Sequence, residues 1–275
     1  MFNNRVNGIA VVTGAGSGIG RASSIALSVA GISILYITDI NEAGLEATKS
    51  AILSLNIPSI PTVNIIPGDV SSTDFIASLF GQIPHLDYAV NCAGVLGQDK
   101  PTTEVSIEEF DRLNSINYRG LWMCVKEELK LMLKNEVRPY AGFTLSEEEA
   151  KLRGQRGSIV NIASQLGIVG KTQASIYTAS KAAVLSMTRS DAIDYSKPPH
   201  HIRINSICPG VIATPMTTSE NGEVSERLKN AINIAPMERM GLPSEIADTA
   251  VFLCCGESSF ITGHGLVADG GYIIN

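Results

Sequence analysis

Ile9-Ala10-Val11-Val12-Thr13-Gly14-Ala15-Gly16-Ser17-Gly18-Ile19-Gly20 runs directly from an apolar stretch into four glycines at alternate positions. The first four residues lack polar alternation, which predicts a strand covered on both faces. Beyond the glycines, the spacing over 18–30 is that of an amphipathic helix. Strand, glycine turn and helix in this order make the dinucleotide-binding unit of α/β proteins. The glycines permit a tight turn and let the backbone approach a pyrophosphate, and the amides at the helix start face the anion. A ligand-free turn would use the same glycines, so the motif takes its meaning from the elements on either side.

Outward from this unit the same alternation continues to the end of the chain. Short apolar runs at 33–38, 64–67, 88–91, 158–162, 203–207 and 266–268 read as strands. Helical patterns lie at 42–55, 75–82, 107–133, 174–195 and 243–254. The expected fold is therefore α/β, a doubly wound parallel sheet of the Rossmann-like kind, as a single domain over 1–275 with helices on both faces. Two segments depart from the alternation. Residues 134–157 read as a solvated surface insertion, in which Ser146 and Glu149 form a capping box for a short helix that Gly154 stops. Residues 212–240 contain no strand and carry Thr217, Thr218, Ser219, Asn221 and Gly222, which suits a substrate lid.

The net charge of −6 and a pI near 5.3 leave no basic cluster for nucleic acid. No apolar run reaches the roughly 18 residues of a membrane span, and the first residues lack the build of a signal peptide, so a cytoplasmic location is expected. Five cysteines without paired spacing argue against disulfides and against a metal site.

At the nucleotide end, Gly14, Ser17, Gly18, Ile19 and Gly20 are the expected pyrophosphate contacts. Asp39, nineteen residues beyond Gly20, closes the second strand with Ile40 behind it. A carboxylate there accepts both adenosine ribose hydroxyls and repels a 2′-phosphate, and no arginine directly follows it; NAD is favoured over NADP. A helix cap is the plainer use of the same Asp39. Asp69 and Val70 end the third strand and Asn91, Ala93 and Gly94 the fourth, where such a sheet presents residues to the adenosine half. Further along, Tyr177 and Lys181 stand four apart and Ser164 thirteen before Tyr177. On a helix, that spacing puts phenol and ammonium on one face. A cation so placed would lower the tyrosine pKa towards neutrality. Alone, the pair is also a common surface arrangement.

In combination these residues resemble the short-chain dehydrogenase/reductase family, and several stretches resemble fungal natural-product members. The likeness rests on Thr-Gly-x-x-x-Gly-x-Gly at 13–20, Asp39, Asp69, Asn-x-Ala-Gly at 91–94, Asn117, Ser164, Tyr-x-x-x-Lys at 177–181, Pro209-Gly210 and Thr214. The resemblance implies that Tyr177 is the acid/base, that Lys181 binds the nicotinamide ribose and tunes Tyr177, and that Ser164 holds the substrate oxygen. It implies that Asn117 keeps a water in a proton relay, and that Pro209, Gly210, Val211 and Thr214 position pyrophosphate and nicotinamide. It also implies a homotetramer or homodimer built on the helices beginning near Ile107 and Ala174. Cys92 departs from the usual second asparagine, and 134–157 is longer than in most relatives.

The expected reaction interconverts a secondary alcohol and a ketone. A non-redox enzyme on the same scaffold and a non-catalytic dinucleotide binder are the alternatives. The expected pocket, Leu166, Ile168, Val169, Val211, Met216 and the lid, suits a lipophilic small molecule, with Arg227 and Arg239 the basic residues nearby.

Overall fold

In the computed structural model, residues 5–218, 224 and 226–275 are described. Seven strands form one sheet in the order β3-β2-β1-β4-β5-β6-β7. These are β1 (Ile9–Thr13), β2 (Ile34–Thr38), β3 (Thr62–Ile65), β4 (Tyr88–Asn91), β5 (Gly157–Ile162), β6 (Ile202–Pro209) and β7 (Gly265–Ala268). Every pairing is parallel. Thr13 is in register with Thr38 on one side and Asn91 on the other, so the carboxyl ends of β1, β2 and β4 share one edge. The strand order reverses between β1 and β4, the switch point at which open sheets of this kind bind ligands.

Unbroken apolar strands follow from burial on both faces. Ala10 and Val12 join one core with Leu27, Ile52 and Leu253, while Ile9 and Val11 join another with Leu79, Leu129 and Val184. The first core lies under α1 (Gly18–Ala30), α2 (Glu42–Leu53) and α9 (Pro243–Cys254), and the second under α3 (Thr73–Gly81), α5 (Leu121–Met132) and α7 (Ser175–Tyr195).

The expected helix over 107–133 is interrupted. α4 (Ile107–Asn114) passes through a π-helical turn, Ser115–Gly120, before α5 begins. Gly120 explains part of this: a Cβ there would stand 2.8 Å from the Val70 carbonyl oxygen. The backbone thus lies hard against the loop after β3. That strand ends at Ile65, and Asp69 and Val70 stand beyond it rather than closing it as expected. The π-helical turn carries the fully buried Asn117. Such turns are frequent at functional sites.

The 134–157 segment is anchored rather than merely solvated. Arg138 and Gln155 exchange backbone hydrogen bonds of 3.0 Å, and the Arg138 guanidinium lies 2.6 Å from the fully buried Asp87. Arg153 stacks 3.9 Å over the Tyr140 ring and donates to the Gly256 carbonyl at 3.2 Å. Within it α6 (Glu147–Leu152) is capped by Ser146, whose Oγ accepts from the Glu149 amide, while Glu149 reaches back to the Leu145 amide, one residue earlier than a standard box. All of this sits at the amino ends of the strands, opposite the nucleotide edge.

Candidate active site

The first half of the site is a cleft of about 280 Å³ at the carboxyl ends of β1, β2 and β4. Gly14, Ser17, Gly18, Ile19, Gly20, Asp39, Ile40, Asp69, Val70, Ala93, Gly94 and Thr214 all line it. Gly14 has φ +67° and a Cβ on it would stand 2.7 Å from the Ala93 amide nitrogen, so the turn closes against β4 only as glycine. Ser17 sits at the start of α1 without a side-chain cap, so the first-turn amides are left for an anion. The Asp39 carboxylate is pinned by the Gly16 and Asn41 amides, both at 2.9 Å. Arg21, the first cation after the glycine turn, is taken up by backbone and hydroxyl oxygens. It donates to the carbonyls of Gly16 at 2.5 Å and Gly44 at 3.3 Å and to the Thr48 hydroxyl at 3.1 Å. A glycine cradle, a helix start and a fixed carboxylate fit a dinucleotide.

The second half is continuous with the first through Ile19, Cys92, Gly94, Val95, Thr214 and Met216. Here Ser164, Tyr177 and Lys181 converge with Pro209, Gly210 and Val211 around one cavity of about 160 Å³. Ser164 ends the loop after β5, and the other two stand one turn apart on α7. The Lys181 ammonium donates to the Ile162 carbonyl at 2.9 Å and lies 6.0 Å from the centre of the Tyr177 ring. Burial pulls Lys181 down to about 8. Burial likewise raises the Tyr177 phenol above its ordinary value, and a hydrogen bond with Ser164 partly offsets this. The expected lowering of Tyr177 by its lysine is therefore not seen: burial outweighs the hydrogen bond from Ser164, and the phenol holds its proton. Asn117 is fully buried and clamps Val95, accepting from its amide at 2.8 Å and donating to its carbonyl at 2.9 Å.

Asn91 is the expected nucleotide contact that the fold places elsewhere. It is buried beneath the cleft floor, where its Nδ2 donates to Glu128 at 3.1 Å and to Asn161 at 3.0 Å. The side chain of a strand residue points to one face, and here that face is the α5 side of the sheet.

Outside the reacting group, a wider opening of about 520 Å³ is lined by Leu96, Leu166, Ile176, Met216 and Leu228, with Lys171 paired to Asp99 at 3.4 Å. Leu166, Val211 and Met216 take the expected pocket positions, whereas Ile168 and Val169 do not line the cavity. Arg239 is turned into a pair with Glu245 at 2.7 Å, away from Tyr177. Within 212–240, Ile212 forms an isolated bridge to Gly241 and α8 (Glu226–Ile234) contributes Leu228 to the cleft. Ser219, Asn221 and Gly222 and the Arg227 side chain lie outside the described residues.

The short chain dehydrogenase family profile matches residues 8–225. The chain belongs to the short-chain dehydrogenase/reductase family. It is 34% identical to the short-chain dehydrogenase anuF of Penicillium roqueforti, over 97% of this chain and 96% of that one. It is also 34% identical to a 2,5-dichloro-2,5-cyclohexadiene-1,4-diol dehydrogenase of Sphingobium indicum, over 95% of each chain. The crystal structure of levodione reductase superposes with a TM-score of 0.81 at 31% identity, covering 98% of both chains. The protein is thus an oxidoreductase of a family that binds NAD(P) and acts on small molecules.

For this short-chain dehydrogenase, Gly68, Val95, Ile116 and Pro215 line the nucleotide cleft without having been singled out in the sequence. Gly68 alone left a signal, a glycine directly before Asp69; a Cβ on it would overlap the Phe75 ring. Lys171 and Gln165 were missed because nothing in their neighbours marks them. Among the described residues no helix is long and apolar enough to cross a membrane, and no cluster of His, Cys, Asp and Glu could hold a metal.

Proposed function

We propose that the protein is an NAD(H)-dependent oxidoreductase interconverting a lipophilic secondary alcohol, on or near a ring, with its ketone. The observation that carries this is the convergence of Ser164, Tyr177 and Lys181 in one cleft that continues to Asp39. Nicotinamide, when bound, supplies or accepts the hydride. Ser164 orients the substrate oxygen, and Tyr177 gives that oxygen a proton in reduction and removes one in oxidation. Lys181 holds the nicotinamide ribose, Asn117 fixes the loop beside it through Val95, and Asp39 selects an unphosphorylated ribose. Apolar walls and relatives named for a cyclohexadiene diol and for levodione support a ring-shaped substrate.

In the same reading the chain is one domain, residues 212–240 close over the substrate and 134–157 is a structural insertion. The protein works in the cytosol. Ile107, Phe110 and Trp122 on the interrupted helix and Ile193 on α7 are exposed, which supports a homodimer or homotetramer on these faces. Two measurements test the proposal. NADH should bind more tightly than NADPH, the reverse order overturning the role of Asp39. Tyr177→Phe should hold NADH yet keep less than about a tenth of the wild-type 340 nm rate with ring ketones, since a positioned proton donor contributes roughly a hundredfold or more.

A further inference from the structure

Gln165 follows Ser164 and opens a short 3₁₀ turn, Gln165–Gly167, in which its carbonyl accepts from Ile168 at 2.9 Å and Val169 at 3.1 Å. The residue is 4% exposed. Its side-chain Oε1 is nevertheless buried with no hydrogen-bond partner among the described residues. A buried amide oxygen in that condition carries a desolvation penalty until a donor reaches it. The side chain borders two spaces at once. One is the reaction cleft with Ser164, Tyr177 and Lys181. The other is a cavity of about 350 Å³ lined by Val211, Ile212, Ile232 and Met237 together with Arg239, Glu245 and Asp269. On the cleft side its apolar neighbours are Leu96, Leu166, Val211 and Met216. An unpaired buried acceptor beside the apolar side of the reaction cleft is the arrangement that discriminates between ligands by one polar group.

We propose that Gln165 is a specificity-determining residue whose Oε1 accepts a hydrogen bond from a second hydroxyl of the substrate, so that ring diols and hydroxy-ketones are preferred over monofunctional ring alcohols. This rests on the alcohol–ketone reading of Ser164 and Tyr177. Those groups hold the reacting oxygen, and Gln165, one residue from Ser164, meets a hydroxyl elsewhere on the same ring. Oε1 only accepts, so an ether or keto oxygen at that place leaves it unpaired.

The test is calorimetric titration at saturating NADH, where an alcohol cannot be oxidised, with cyclohexanol, cyclohexane-1,4-diol and 4-methoxycyclohexanol. The diol should bind about tenfold more tightly than either other ligand, the range expected for one desolvated hydrogen bond. Gln165→Met should remove that preference while leaving cyclohexanol within about twofold. Should the variant not fold, the three-ligand comparison in the wild type decides alone. Equal affinities, a methoxy compound matching the diol, no binding of any of the three, or a preference surviving in Gln165→Met overturns the proposal, a water then serving Oε1. Parallel 340 nm assays with NAD+ separate the two readings. Diol preference without hydride transfer removes the alcohol–ketone chemistry and keeps Gln165, and hydride transfer without diol preference does the reverse.

Discussion

Tyr177 and Lys181 are drawn towards each other in charge state by the same cause. Each is buried, so each resists its ionised form: the phenol keeps its proton and the ammonium loses its proton near 8. In the proposed reaction this state gives a proton to a carbonyl oxygen, and oxidation first requires the phenol to lose its proton. Reductive kcat/KM, which reports the free enzyme, should therefore be level through neutrality and fall as pH rises past about 8, where Lys181 becomes neutral. Oxidative turnover should instead climb with pH as the phenolate becomes accessible. Initial rates in both directions across the range check this, and a reductive profile level beyond that point would remove Lys181 from the free-enzyme titration. These two residues were legible in the sequence because helical spacing places them, and Ser164, on the loop after β5, through the family resemblance. Their charge states were not, since desolvation depends on walls supplied by segments distant in the chain.

Among the elements, the segment between α5 and β5 shows how an insertion is held. Asp87 is fully buried before β4, with the Ile9 amide at 2.7 Å, His85 at 2.8 Å and Arg138 at 2.6 Å around it. Arg138→Met should leave the carboxylate short of its strongest partner and lower stability by roughly 1–3 kcal/mol. Because the anchor is at the amino ends of the strands, NADH affinity at permissive temperature should not change. Denaturant melts and NADH titration together check this, and weakened NADH binding would show the insertion coupled to the site. The sequence marked the capping box at Ser146 but not the anchor, for Arg138 meets Asp87 only after the chain returns across the sheet. The π-helical turn at Ser115–Gly120 was equally hidden, because its residues continue the helical pattern and the close approach of Gly120 to Val70 is tertiary.

Across the whole molecule, a buried polar path runs beneath the reaction cleft from Glu128 through Asn91 and Asn161 to Thr188 and Ser206. Burial pushes Glu128 from its ordinary 4.5 up to about 8, and its Oε1, like Asn91 Oδ1, has no partner among the described residues. The folded chain thus keeps a proton that the unfolded chain releases across this window. Its contribution to stability is full below the lower value and declines as pH rises through the upper one. Glu128→Gln removes that slope, so the variant should gain on the wild type between pH 5 and pH 8, at no more than about 1.4 kcal/mol per unit of separation. Parallel urea denaturation at the two pH values measures it; an unchanged difference would mean Glu128 is already ionised in the fold.

The sequence by itself determined the order of strands and helices, the glycine cradle, the Asp39 position and the catalytic spacing, because each is written within a few neighbouring residues by periodicity and turn chemistry. Tertiary structure alone decided that Asn91 faces Glu128 rather than the nucleotide, that Gln165 stands between two cavities, and that the tyrosine rests protonated. Those outcomes depend on which remote segments meet at one point and how much water they exclude, and no local pattern encodes either.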